Sequence, residues 1–259
     1  MTRSSLGRPL DPSVPSNRFA ALGFALTFVA ARVAGRTWLQ SAQAGLGAFL
    51  AWSAGRELHP DDPNAANVAL LIEAPLAILA PPSVPAAFGH TSALRVVAGT
   101  VGEKVTPVDE AALATLGGVS AAGDAIVTAF MMPAASMLTV GVGDRLSPPP
   151  PFSAITALGF AGALRARVVP PTGVWRWVVL GTLVGTLGLL SVPTVRVRED
   201  HSDEPVSTER VRRARLLGLA ALGATAIFEG DAGLRRSSPL LSAWLGTALT
   251  SLVSALRKR

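Results

Sequence analysis

The chain of 259 residues is 49% apolar and only 15% charged, with a net charge of +6, a mean hydropathy of +0.44 and no cysteine. Soluble domains carry about 25% charged residues, so this composition argues against an ordinary water-soluble domain. The missing cysteine excludes disulfides and thiolate metal sites. The positive surplus is nearly all arginine and has no aromatic-studded face, so it reads as anchoring against anionic headgroups and not as nucleic-acid binding.

Residues 1–17, MTRSSLGRPLDPSVPSN, are rich in Pro and Ser and are expected to form a disordered cytoplasmic tail. The apolar run Phe19–Ala31 that follows resembles a signal-peptide core. Arg32 and Val33 stand where a cleavage site needs small residues, so the run is read as a retained first helix. Further apolar runs give candidate spans at 38–54, 66–83, 111–140, 152–169, 174–195, 214–232 and 239–256, with the first at 19–35. A hydrocarbon core takes about 20 residues of helix, so several of these need tilt or snorkelling arginines. The 84–110 stretch holds three glycines, Glu103 and Lys104, and is expected to be an external or interfacial connection. The five tryptophans fall near segment ends, where an apolar ring with one N–H group prefers the interface.

The expected fold is therefore all-α: a polytopic helical membrane protein of about eight transmembrane helices, with halves at 18–143 and 144–259. Most Lys and Arg fall on the tail, the even-numbered connections and the C-terminus. That distribution gives an inner-membrane protein with both termini cytoplasmic.

Two octets suggest an internal duplication. RELHPDDP (56–63) and REDHSDEP (198–205) share Arg, Glu, His, Asp and Pro in order, and each follows an apolar run. Upstream, ALGFA occurs at 21–25 and again at 157–161. Four spans separate the equivalents, so the halves would run parallel about an axis along the membrane normal. The octets gather Arg56, Glu57, His59, Asp61 and Asp62 in one copy, and Arg198, Glu199, His201, Asp203 and Glu204 in the other. Asp61 and Asp62 could hold Mg²⁺ while Arg56 clamps a phosphate. The plainer alternative is a solvated turn in which Asp62-Pro63 starts the next helix, with Ser207 or Thr208 doing so in the second copy.

Glu73 and Asp124 lie inside apolar stretches, where an acid is costly and by default faces a polar partner or cavity. Gly117, Gly118 and Gly123 before Asp124, and Pro133 after it, imply a broken helix of the kind that lines transporter sites. Gly181, Gly185 and Gly188 mark a face that another helix, or a second copy of the chain, could approach closely. His90 reads as a lone loop histidine. The leading functional expectation is a small carrier- or permease-like protein that uses Glu73 and Asp124. The alternatives are a membrane enzyme acting on a phosphorylated lipid or polyprenyl substrate with Mg²⁺, and a non-catalytic assembly subunit. No cofactor is expected outside the enzyme alternative.

Overall fold

The computed structural model describes residues 4–8, 10–148 and 171–257. Within them the regular elements are helices, and the one β feature is an isolated antiparallel bridge between Arg198 and Pro205. In chain order the helices are α1 Pro15–Val33, α2 Trp38–Leu58, α3 Pro63–Leu79, α4 Val84–Ala98, α5 Pro107–Ala122, α6 Ile126–Val140 and α7 Trp175–Gly185. A short 3₁₀ turn, Leu187–Leu190, follows α7. Next come α8 Thr208–Ala224, a π turn at Thr225–Glu229, α9 Gly230–Arg236 and α10 Ser238–Leu256.

Local chemistry sets the boundaries. Thr37 and Gln40 close a reciprocal capping box at the start of α2, and Thr106 and Asp109 do the same for α5. Asp62 caps α3 by accepting from the Asn64 N–H at 2.9 Å, with Pro63 pre-set in the first turn. Gly99 ends α4 in the left-handed region at φ +69°, a conformation that costs glycine nothing.

The helices run back and forth between two ends. At one end, the octet end, lie residues 4–8 and the connections at 59–62, 99–106, 141–148 and 191–207. The opposite end holds the turns at 34–37, 80–83 and 123–125, together with Pro171–Val174 and α9. Its contacts include Arg36 donating to the Ile78 and Leu79 carbonyls, Ser83 N–H to the Arg236 carbonyl, and Arg236 to the Asp124 carbonyl. α4 sits at the centre, packed against α2, α5, α6 and α8, while α1, α2, α3 and α10 form one flank.

Two expectations change here. The 84–110 stretch is not an external connection: its first part is α4, with Gly89, His90, Thr91, Ser92 and Ala93 all buried. Its small and polar residues lower the local hydropathy, yet they are what lets a helix sit among close neighbours. The overlong 111–140 segment is a helical hairpin, with Gly117 against Ala129 and Met132 across it and Ser136 Oγ donating to Glu110 Oε1 at 2.7 Å. The chain reverses at Gly123–Ala125, where Asp124 takes φ +62°; Asp tolerates that region better than most residues. The 152–169 segment and the 157–161 landmark lie outside the described residues.

Among the described residues two helical segments are long and apolar enough to cross a membrane: Thr208–Arg236 of 29 residues, which runs through α8, the π turn and α9, and Ser238–Leu256 of 19. Pro63–Leu79 and Ile126–Val140 are apolar but shorter. Several helices expose large apolar residues while burying hydroxyls and small residues beside their apolar core positions. α1 buries Ala20, Thr27 and Ala31 and exposes Leu22, Leu26 and Val29. α10 buries Ser242, Gly246, Thr247 and Thr250 and exposes Leu249, Leu252 and Leu256. α6 turns Thr128, Ser136 and Thr139 inward and leaves Phe130 and Met137 outside.

The inward small residues allow near contact of backbones. A Cβ added at Gly246 would stand 2.5 Å from the Ala65 carbonyl oxygen and 2.8 Å from the Ala69 nitrogen, both backbone atoms of α3. At Gly181, Gly185 and Gly188 an added Cβ would meet nothing within 4 Å among the described residues. Gly246→Ala is therefore expected to push α10 off α3 and cost about 1–3 kcal/mol. Gly181→Ala should leave the unfolding midpoint unchanged or slightly raised. Thermal unfolding of the detergent-solubilised variants checks the pair.

Candidate functional site

Two polar constellations stand out, one at the octet end and one inside the helices. The first is built on Glu57, fully buried in the last turn of α2. Arg95 of α4 donates to its Oε1 from Nε at 2.9 Å, and Arg8 approaches the same oxygen at 3.5 Å through Nη1. Thr100 Oγ1 donates to Oε2. The Arg95 fork is filled on its other arms by the Leu6 carbonyl and Ser53 Oγ, both at 2.6 Å. Arg8 pairs through Nε with Asp200 of the second octet. Nearby, Ser4 Oγ donates to Asp109 Oδ1 at 2.6 Å and Ser5 Oγ to Oδ2 at 3.1 Å.

Residues 4–8 are thus docked, contrary to the disordered tail expected of 1–17. A buried carboxylate demands a cation, and Arg8 helps supply it.

The first octet is tied to the segment that leads into the second. The Asp61 carboxylate accepts the backbone N–H groups of Arg196 and Val197 at 2.8–3.1 Å, just ahead of the second octet. Their backbone forms differ, however. Arg56, Glu57 and Leu58 finish a helix and Asp62 caps the next, whereas 198–205 is a bridged turn in which Glu199 N–H bonds the Glu204 carbonyl at 2.8 Å and Asp203 takes φ +55°. That turn lies on the end of α4, with Asp200 N–H on the Thr100 carbonyl and His201 N–H on that of Val101. Arg56 bonds Asn17 Oδ1 at 3.1 Å and stacks over Trp52. Glu199 and Glu204 are both held by Arg145. Arg198 donates to the Asp203 carbonyl at 2.6 Å. Burial and the adjacent Arg215 cation hold the His59 imidazole below its usual range.

The arginines of the RVRRAR stretch divide. Arg212 is exposed, but Arg210 is 1% and Arg215 3% exposed. Arg210 forms a two-pronged pair with Asp144, Nε to Oδ2 at 2.7 Å and Nη2 to Oδ1 at 2.6 Å, and reaches the Val96 and Val97 carbonyls at the end of α4. Arg215 takes the Leu58 carbonyl at the end of α2 and the Leu189 carbonyl, each at 2.7 Å. These two close open helix ends and do not face a headgroup. Sequence reasoning missed Arg8, Arg95, Asp144 and this use of Arg210. An arginine inside an apolar run, as at Arg95, was the readable signal.

The second constellation centres on Glu73, fully buried in α3. Ser238 Oγ donates to its Oε1 at 2.7 Å and Ser242 Oγ to its Oε2 at 2.8 Å, both from α10. An added Cβ at Gly47 of α2 would lie 2.6 Å from the Pro82 ring and 3.3 Å from Oε1, so that glycine admits the proline first and also lies close to the carboxylate. Ser238 also borders a cleft of about 520 Å³ walled by Leu76, Leu79, Trp175, Val179 and Leu241. Asp124 does not join Glu73. It is exposed in the α5–α6 turn, because the chain reverses there and does not continue through a span. His90 is no loop residue: it is buried in α4 with Nε2 3.0 Å from Thr128 Oγ1.

The site and fold together define an all-helical bundle with a charge-latticed end and a buried carboxylate, Glu73, held between α3 and α10. No family model, curated protein or solved structure matches the chain. Among the described residues no three His, Asp or Glu side chains gather as a metal site. Asp61 and Asp62 are instead spent on backbone N–H groups.

The hydrogen bonds from Arg210 pull the Asp144 pKa below its ordinary 3.8, against a smaller opposing effect of burial. A depressed carboxylate contributes stability that is full above its unfolded value and is lost as pH falls through the folded one. Acid unfolding below about pH 4 should therefore contain an Asp144 component. In Asp144→Asn the stability at pH 7 drops, and the remaining loss between about pH 4 and pH 2 is shallower, as read by intrinsic tryptophan fluorescence.

Proposed function

We propose that this chain is a multi-pass inner-membrane protein of carrier or permease type, with the Glu73 constellation and its cleft as the ligand-handling site. The observation that carries the reading is the exposed apolar face of α1, α6 and α10. Large apolar residues such as Leu22, Leu26, Phe130, Met137, Leu249 and Leu252 cover the outside, while hydroxyls and small residues share the inside with Met131, Met132, Leu240 and Trp244. In water that pattern is costly; in hydrocarbon it is the ordinary way to pack helices. The back-and-forth course, with Arg-rich connections concentrated at the octet end, supports a cytoplasmic octet end with both termini there. An apolar bundle with Glu73 fully buried beside a ligand-sized cleft supports small-molecule handling.

On this reading α4 and the α5–α6 hairpin add crossings to those counted from apolarity. The parallel-halves reading rests on its sequence landmarks and on both octets lying at one end. The alternative of an Mg²⁺-dependent enzyme on a phosphorylated lipid has less support, because Asp61 and Asp62 are bound to backbone and Arg56 is turned onto Trp52. Exposed arginines such as Arg212 and Arg257 remain for anionic headgroups. The open Gly181, Gly185 and Gly188 face remains for a second copy.

The natural absence of cysteine makes the topology directly testable. In intact cells a membrane-impermeant maleimide should label Ala122→Cys, at the exposed end of α5, from outside. Ser13→Cys should react only after permeabilisation. Reaction of both from the same side, or release of the protein by alkaline carbonate, overturns the membrane reading. For the carrier assignment, proteoliposomes are offered a panel of small solutes. Uptake present in the natural chain and lost in Glu73→Gln is expected; equal uptake in that variant removes Glu73 from the site.

A further inference from the structure

The buried carboxylates are not treated alike. Glu57 has two arginines on it, and Glu199 has Arg145. Glu73 is just as deep at 0% exposure, yet among the described residues no Lys, Arg or His pairs with it. Two serine hydroxyls satisfy its oxygens as hydrogen-bond donors, but hydroxyls bring no net charge. An ionised acid in a low-dielectric interior calls for a countercharge.

The cleft next to it has the means to present one. Ser238 belongs to both, lining the cleft while its O–H is spent on Glu73, and a hydroxyl oxygen that donates still carries acceptor lone pairs. Asp231 adds a second carboxylate to the lining, its oxygens held by the N–H groups of Trp175 and Arg176 at the start of α7. Trp175, itself a lining residue, offers an aromatic face of the kind that receives cations. Arg235 opposes these charges from the rim, but it is exposed and donates to the Asp231 carbonyl. The remaining walls, Leu76, Leu79, Val179 and Leu241, are hydrocarbon. A volume of about 520 Å³ lies within the range of small-molecule pockets, roughly 300–1,000 Å³.

We infer that the cleft binds a lipophilic organic ammonium, with the cationic N–H donating to Ser238 Oγ, Glu73 behind it as countercharge, and the hydrocarbon body against Leu76, Val179 and Leu241. This rests on the carrier reading and specifies its ligand. Ser238 is then a bridge: it donates to the acid and accepts from the ligand, so the ligand's charge is felt by a carboxylate it does not touch. No bond is made or broken in the complex.

The test uses the full chain in lipid nanodiscs and three probes with one hydrocarbon body: 1-adamantylammonium, 1-adamantanol and adamantane-1-carboxylate. Isothermal titration should show the ammonium binding about tenfold more tightly than the alcohol, and the carboxylate weakest, since a charge-assisted hydrogen bond is about twice as strong as a neutral one. In Glu73→Gln the ammonium should fall to the level of the alcohol. Should that variant fail to fold, Ser238→Ala, which keeps the carboxylate and removes the bridge, is expected to lose the same preference. Equal binding of ammonium and alcohol to the natural chain, or a preference that survives both substitutions, overturns the inference. That result with the two cysteine variants still labelled from opposite sides sinks the ligand class alone. Labelling of both from one side sinks the carrier reading with it.

Discussion

The near contact of α10 with α3 is the constraint on which the interior depends. Gly246 has no side chain, so the α10 backbone can lie on Ala65 and Ala69 at a distance no Cβ would allow. One and two turns back along α10, the same approach brings Ser242 and Ser238 within hydrogen-bonding reach of Glu73. Were the seam wider, the acid would face either hydrocarbon or an empty gap, and neither satisfies a carboxylate. The other close seams repeat this economy, with Gly55 on Ala66 and Gly45 on the Phe24 carbonyl. Packing by small residues makes polar contacts between helices possible, and those contacts in turn fix which helix faces which.

The octet end is organised by a different rule. There the backbone leaves the helices, and carbonyls at the ends of α2 and α4 need donors. Arg215 takes Leu58, and Arg210 takes Val96 and Val97. Each buried guanidinium then brings its own demand for an acid, which Asp144 meets for Arg210. The result is a lattice in which acids and bases lock loops distant in sequence. Both octets belong to it, and their resemblance in composition does not carry over to backbone form: one finishes a helix and starts another, the other folds back on itself.

What the sequence made legible follows from which forces are local. The helix start at Asp62-Pro63 could be read because a cap and the groups it satisfies are neighbours in the chain. The break at Gly123 was announced by its glycines, although that it is a full reversal depended on the packing of Gly117 against Ala129. α4 was hidden because its Gly, His, Thr and Ser face other helices, so their burial leaves no apolar trace. Glu73 was visible as an acid in an apolar run, whereas its serine partners on α10 were not. Asp124 had the same signature and proved to be a turn residue. Arg8 gave no signal at all, since its partners Glu57 and Asp200 are 49 and 192 residues away.

That separation has a consequence for the order in which the molecule is made. Arg8 leaves the ribosome well before Asp200, one of its two acids, which follows it by 192 residues. Until then the tail has at best the Glu57 side of its seat, together with Asp109 for its serines. The docked 4–8 segment therefore records that synthesis has passed residue 200, and any nascent chain that stops short of it carries Arg8 without its full complement of partners.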